Sequence, residues 1–79
     1  MPELLLEKAY RDRVRRARLR AERLDLTKVW IANQIDRSRG HTTMVLHEKA
    51  YGPPTLARIE DLLDRIESGT LEVPGEATR

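Results

Sequence analysis

The chain has 79 residues, 35% of them charged, and a formal net charge of only +2. This length fits one small domain, and because cysteine is absent no disulfide or thiolate metal site can support a thin core. No apolar run is long enough to span a bilayer, and residues 4–6 are too few for the core of a signal peptide. We therefore expect a cytoplasmic protein.

The charged residues are unevenly distributed along the chain. Residues 8–28 contain nine basic and three acidic side chains, a net charge of +6. Residues 59–79 contain two basic and six acidic ones, a net charge of −4. A basic first half suggests a polyanion as partner, and the competing interpretation is a solvated, Arg-rich helix face.

The first predicted element is one long helix over residues 2–24. Pro2 suits a first helical turn. The apolar stripe at helical spacing comprises Leu6, Tyr10, Val14, Ala17, Ala21 and Leu24. At about 1.5 Å per residue the helix reaches about 33 Å, so its first turns should project beyond the core.

This projection defines the predicted organisation of the chain. Residues 1–12 are interpreted as a helical extension, residues 13–69 as the domain itself and residues 70–79 as a tail. Leu4, Leu5 and Leu6 on the extension need an apolar partner, and a second copy of the chain is the simplest one. The final helix is the alternative dimer surface.

Residues 28–35 and 39–48 are predicted to form two short helices joined by a tight turn. Thr27 and Ser38 are their expected N-caps. Ala32 is small enough for a close helix crossing, and Asp36 occupies the place where the chain turns, often with positive φ. The inward residues of the second helix are Thr42, Val45 and Leu46. Trp30 has two interpretations, packing against the first helix or donating its N–H to a phosphate.

The sequence YGPP at residues 51–54 predicts a break before the last helix. Thr55 is the expected N-cap of a helix over residues 56–68, which Gly69 ends. Residues 70–79 lack periodicity and are predicted to form a frayed tail. Because no strand pattern occurs, the sequence predicts an all-α fold, a small helical bundle.

The segment LTKVWIANQIDRSRGHTTMVLHEK, residues 26–49, resembles the helix-turn-helix of the lambda-repressor and Cro-like (XRE-type) family. Leu26 and Thr27 match the family's opening, and Ala32 matches its small residue. Ser38 and Arg39 match the start of its recognition helix. Three positions depart from the pattern: Lys28 replaces the usual Gln, Asp36 the usual Gly and Thr42 the usual, larger Val or Ile. The resemblance extends over roughly residues 13–68 and implies a lambda-repressor-like helix-turn-helix bundle.

The resemblance also implies double-stranded DNA as the partner, bound by a homodimer. Helix 39–48 would enter the major groove, with Arg39 placed to pair bidentately with guanine. The implied DNA-contacting residues are Lys28, Arg37, Ser38, Arg39, Gly40, Thr43, Met44, His47 and Lys49. Lys28, Arg37 and Lys49 would contact phosphates, and Thr43 and Met44 a thymine methyl group.

The favoured function is a sequence-specific transcriptional regulator, most simply a repressor, of the small phage, plasmid or antitoxin type. No cofactor and no small-molecule substrate are expected. An alternative is an accessory DNA-binding factor of transposition or recombination with low sequence preference. Residues 45–63 are similar in style to the small DNA-binding domain of Mu-type transposition ATPases, which supports that alternative. Two others are a module whose Arg-rich helix binds an acidic protein or RNA, and a helical bundle that resembles the motif by chance.

Metal binding and catalysis are not expected. His41 and His47 are six residues apart, on different helix faces, and lack an acidic or thiolate partner set. Glu48 cannot work with His47, because adjacent residues on a helix do not face each other. A Gly-rich phosphate loop is also absent from the sequence. We therefore expect a protein that is not an enzyme.

Overall fold

The computed structural model describes the backbone of residues 2–78 and the side chains of residues 7–78. The chain forms four α-helices: α1 (Pro2–Arg23), α2 (Lys28–Gln34), α3 (Arg39–Leu46) and α4 (Pro53–Glu67). A short 3₁₀ turn follows at Gly75–Ala77. Between residues 2 and 78 the only extended pairing is one isolated bridge between Leu26 and Thr78. The predicted all-α fold, a small helical bundle, is confirmed.

Helix α1 buries the predicted stripe against α3 and α4. Val14, Ala17 and Ala21 are buried, and Tyr10 and Leu24 lie half-buried at the ends of this contact. Leu6, the first residue of the stripe, lies outside the described side chains. Residues 7–9 are exposed, which agrees with the predicted projection and with a longest dimension of 44 Å.

Helix α4 supplies the centre of the core. Its Leu56, Ile59, Leu62 and Leu63 are at most 1% exposed. Burying an aliphatic side chain of this size stabilises the fold by roughly 1.5–3 kcal/mol, so four on one helix make α4 indispensable. The apolar face of α4 is thereby occupied within the protein.

The start of α4 differs from the prediction. The helix begins at Pro53, with Gly52 as its N-cap, because prolines in a first helical turn lack only N–H groups that would have no helical acceptor. Thr55 therefore lies inside the helix, where it is 3% exposed and hydrogen-bonded to Nε2 of His41 at 2.9 Å. The predicted N-cap role of Thr55 is wrong.

All four helices end in the same kind of turn. The residues with left-handed backbone are Asp25 (φ 58°), Asp36 (φ 57°), Glu48 (φ 62°) and Gly69 (φ 81°). In each case the next N–H donates to the carbonyl five residues earlier, as Arg37 N–H does to the Ala32 carbonyl oxygen at 3.0 Å. This is the Schellman arrangement. The positive φ predicted at Asp36 is confirmed. Helix α3 was predicted to end at residue 48 but ends at Leu46, because Glu48 adopts the left-handed conformation of the turn.

The C-terminal segment, residues 70–78, has no α-helix but packs against the bundle. Ala77 is buried, and its carbonyl oxygen accepts a hydrogen bond from the Thr27 N–H at 2.8 Å. Leu71 and Val73 pack at the edge of the core. The prediction of a frayed tail is therefore wrong for this segment, because its apolar side chains find a surface beside α2.

The basic first half of the chain pairs with the acidic last helix. Arg13 donates to Glu60 at 2.5 Å, and Arg20 donates to both Asp64 and Glu67 at 2.6 Å. The hydrogen bond to Glu60 raises the pKa of Arg13 above its ordinary value. Burial lowers the pKa of Arg20, but its two carboxylate partners outweigh this effect and raise the pKa. Both side chains thus remain cations in the fold.

A second ionic cluster joins α1 to the turn after α3. Glu48 lies 3.3 Å from Arg15 and 3.5 Å from Arg18. Arg18 also donates through Nη1 to the carbonyl oxygen of Leu46 at 2.9 Å. Much of the charge asymmetry read from the sequence is therefore complementarity within the molecule, which weakens it as a sign of a polyanion partner.

Candidate nucleic-acid interface

Helices α2 and α3 form a pair with capped N-termini. The Thr27 hydroxyl accepts a hydrogen bond from the Trp30 N–H at 3.2 Å, and the Ser38 hydroxyl accepts one from the His41 N–H at 3.1 Å. Both predicted N-caps are confirmed. The side chains that the pair buries are Ile31, Ala32, Ile35, Thr42, Val45 and Leu46. The burial of Ala32 at 2% exposure agrees with its predicted place between the two helices.

The outer face of α3 carries the residues that were predicted to face a DNA groove. Arg39, Gly40, Met44 and His47 are exposed, and Thr43 is half-buried. A side chain added at Gly40 would meet nothing within 4 Å, so packing within the protein does not require a glycine there. The backbone of α3 is therefore bare in the middle of this face.

A shallow groove of about 360 Å³ lies between the start of α2 and the outer face of α3. We call it the α2–α3 groove; it is lined by Thr27, Lys28, Val29, Arg39, Thr43 and His47. The tertiary structure thus brings together four of the predicted DNA-contacting residues. Its lining contains two permanent cations and no carboxylate.

Two other surface grooves differ in charge. The groove between α2 and α4 is lined by Asp36 and Asp61 as well as by Arg58 and Arg65. A groove along α1 likewise combines carboxylates with basic side chains. The carboxylates cancel the cations in the first lining and leave a net charge of only +1 in the second, so the α2–α3 groove, with a net charge of +2, is the most favourable of the three for an anion.

The remaining predicted contacts surround the α2–α3 groove without lining it. Ser38 caps α3, Met44 lies further round the outer face, and Lys49 is exposed beyond the end of α3. Arg37 lies in the turn and donates to the carbonyl oxygen of Asp36 at 3.1 Å. Among the described side chains, no carboxylate forms an ion pair with Lys28, Arg37, Arg39 or Lys49.

Trp30 and Val29 are adjacent on α2 but differ in exposure. Trp30 is 7% exposed and belongs to the core, as its packing interpretation requires. Val29 is 44% exposed and faces the groove. Helical periodicity alone cannot separate two adjacent apolar residues on a helix of seven residues, so the sequence could not single out Val29.

Two arginines that the sequence did not single out hold the pair in place. Arg18 from α1 donates to the carbonyl oxygen of Leu46 at the end of α3, and Arg58 from α4 donates to that of Ile35 at the end of α2. A cation at a helix C-terminus satisfies a free carbonyl and opposes the helix dipole. Each short helix is thus anchored by a neighbouring long one.

Other classes of site find little support in the described part of the chain. The side chains of residues 7–78 include no group of three or more His, Asp or Glu that could hold a metal ion. No described helix is long and apolar enough to cross a membrane. Searches against protein-family models, curated proteins and solved structures find no match for this chain. The chemistry of the interface therefore has to be argued from its own residues.

Proposed function

We propose that this protein is a sequence-specific double-stranded DNA-binding protein, most simply a repressor, that inserts α3 into the major groove. The observation that carries the proposal is the α2–α3 groove, which no carboxylate lines, beside the exposed outer face of α3. Most α1 arginines pair with a described carboxylate, whereas Lys28, Arg37, Arg39 and Lys49 form no ion pair with a described side chain. Their charge is thus available for phosphates and base edges.

The dimensions of the pair support this mode of binding. An α-helix with its side chains is about 10–12 Å in diameter, and the major groove of B-DNA, about 12 Å wide, admits it. The order of a short helix, a tight turn and a second short helix is that of a helix-turn-helix unit. Together with the residues that resemble the lambda-repressor and Cro-like family, it supports a lambda-repressor-like mode of docking.

The exposed residues divide into two roles in this proposal. Lys28 in the groove, and Arg37 and Lys49 in the turns before and after α3, contact phosphates, which sets affinity and salt dependence. Arg39, at the first turn of α3, donates to O6 and N7 of a guanine and so contributes sequence preference. Ser38 orients this turn through its cap, and the bare backbone at Gly40 permits close approach to the bases.

The proposal includes a homodimer. A single small module buries little surface on DNA, and two-fold pairing would place two α3 helices in successive major grooves, about 34 Å apart. Leu4, Leu5 and Leu6 remain the proposed dimer contact, although they lie outside the described side chains. The exposure of residues 7–9 and the burial of Leu56, Ile59, Leu62 and Leu63 on α4 support the extension over the final helix.

The test begins with selection of a binding duplex from a random library. Its affinity is then compared with that of random duplexes by fluorescence anisotropy over a range of salt concentrations. Arg39→Ala is expected to reduce the preference for the selected duplex about 5- to 150-fold, the range of one bidentate base contact (~1–3 kcal/mol). Arg16→Ala is the matched control, since Arg16 is an exposed α1 residue that forms no ion pair with a described side chain.

The outcomes separate the function classes. If both variants lose the preference for the selected duplex equally, or if Arg39→Ala keeps it, the assignment of α3 as the helix that contacts the bases is contradicted. Binding of every duplex alike, with a steep salt dependence, indicates an accessory DNA-binding factor. If no duplex is bound but RNA or an acidic protein is, the protein is an interaction module.

A further inference from the structure

Val29 is an apolar residue that the fold leaves in a polar groove. It is 44% exposed, lies outside the core cluster and follows Lys28 on the first turn of α2. The opposite wall of the α2–α3 groove is formed by Arg39, Thr43 and His47 from α3. A branched aliphatic side chain at this place offers no hydrogen bond, so it recognises only an apolar group.

The neighbouring carbon atoms extend this apolar spot. Thr43 is half-buried on the groove wall and carries a methyl group beside its hydroxyl. Met44 is 46% exposed on the same outer face of α3 but does not line the groove. Among the three, Val29 and Thr43 are therefore the residues that border the same cavity from opposite helices.

The charge of the groove restricts the kind of ligand that could carry this apolar group. Lys28 and Arg39 border the spot, and no carboxylate lines the groove, which fits a ligand that carries negative charge around an apolar group. In the major groove of DNA, the apolar group that an unmodified base edge presents is the 5-methyl of thymine. Phosphates on either side of that base supply the negative charge.

We propose that Val29 is a specificity-determining residue, and that the α2–α3 groove receives the 5-methyl group of a thymine between Val29 and Thr43. This inference rests on the function proposed above and names a base contact made from α2. Arg39 then reads a base beside this thymine. The preference of the protein would arise from both helices of the pair.

The experiment uses the full chain and the selected duplex, with each thymine replaced in turn by uracil, which removes only the methyl group. One position is expected to lower the affinity of the natural protein about fourfold, the effect of exposing one buried methyl or methylene group. In Val29→Ser the thymine and uracil duplexes should bind equally. Val29→Ala serves as a second variant if Val29→Ser does not fold, as judged by circular dichroism.

Leu19→Ser is the matched control, because Leu19 is an exposed apolar residue of α1 that has no proposed contact with DNA. It should retain the fourfold preference for thymine over uracil. If Met44→Ser abolishes that preference while the Val29 variants keep it, the methyl contact belongs to Met44 and the inference is overturned. A selected duplex that binds well but has no uracil-sensitive position overturns the inference alone. Failure to select any duplex overturns the proposed function and this inference together.

Discussion

Thr42 and Thr55 are both buried, yet their hydroxyl groups have different surroundings. The buried hydroxyl of Thr42 on α3 has no hydrogen-bond partner among the described residues, whereas that of Thr55 is bonded to His41 at 2.9 Å. An unsatisfied buried hydroxyl costs roughly 1–3 kcal/mol, and a satisfied one contributes about 1 kcal/mol. The same substitution at the two positions should therefore change stability in opposite directions.

We expect Thr42→Val to raise the free energy of unfolding by about 1 kcal/mol, because it replaces the unpaired hydroxyl with a methyl group of similar size. Thr55→Val should lower it by about 1 kcal/mol or more, because it leaves His41 without its partner. Urea unfolding followed by circular dichroism measures both. A loss of stability in both variants would mean that the Thr42 hydroxyl is satisfied.

Asp36 and Gly69 occupy equivalent positions at the ends of α2 and α4. Left-handed backbone costs a residue with a Cβ roughly 1–2 kcal/mol, and glycine avoids this cost. We expect Asp36→Gly to raise the free energy of unfolding by about 1 kcal/mol and Gly69→Ala to lower it by a similar amount. A Cβ at Gly69 meets nothing within 4 Å, so the second change measures backbone strain alone. Thermal denaturation of the two variants measures both effects. An unchanged melting temperature in both would argue against the left-handed turns.

At the scale of the elements, α2 and α3 are too short to be stable helices alone. They depend on burial against α1 and α4 and on Arg18 and Arg58 at their C-termini. The C-terminal segment is the third support, because Ala77 and Thr78 lie beside the residues that lead into α2. The C-terminal segment, which has no helical periodicity in its sequence, thus helps to position α2 and α3, the proposed DNA-binding helices.

We expect Ala77→Glu to detach this segment. Ala77 is 0% exposed, and a carboxylate cannot be buried there without a partner, so the segment must leave the bundle. Because the charge then stays in water, the free energy of unfolding should fall by about 1–3 kcal/mol and not by the full cost of burying a charge. Trp30, the single tryptophan, shares a surface groove with Glu76, and its fluorescence should shift to the red. Gly75→Ala is the control, since a Cβ there meets nothing within 4 Å. Unchanged stability in Ala77→Glu would show that the docking of the segment is not needed.

At the scale of the whole molecule, the net charge of only +2 reflects basic and acidic side chains that pair with one another across the fold. The arginines of α1 largely pair with carboxylates of α4 and with Glu48. Among the described side chains, cations without a carboxylate partner remain on α1, namely Lys8, Arg16 and Arg23, as well as around α2 and α3. Two of the latter, Lys28 and Arg39, lie together in the α2–α3 groove, which net charge along the sequence did not indicate.

The projection of α1 leads to a prediction about assembly. We expect the full chain to be a dimer, and deletion of residues 1–9 to give a folded monomer that binds DNA weakly and with a shallower salt dependence. The deletion leaves Tyr10, whose hydroxyl accepts a hydrogen bond from the Gly52 N–H at 2.8 Å, so the core contacts of α1 remain. Light scattering at micromolar concentration measures the assembly, and circular dichroism verifies the fold. A monomeric full chain, or a truncated chain that still dimerises, would exclude the extension as the dimer surface.

The sequence by itself determined the features that depend on neighbours within about four residues. The helix order, the stripe of α1, the caps at Thr27 and Ser38 and the left-handed turn at Asp36 could all be predicted, because hydrogen bonds within a helix and its caps are local. The outer face of α3 was predicted from the resemblance to the lambda-repressor and Cro-like family.

Only the tertiary structure decided the contacts between residues distant in sequence. Arg13 and Glu60 are 47 residues apart, and Arg18 and Leu46 are 28 apart, so no local pattern relates them. The exposure of Val29, the burial of Ala77 and the pairing of Thr55 with His41 likewise depend on how the helices are oriented against one another. That orientation is set by the summed packing of the aliphatic core, and the composition of the α2–α3 groove follows from it.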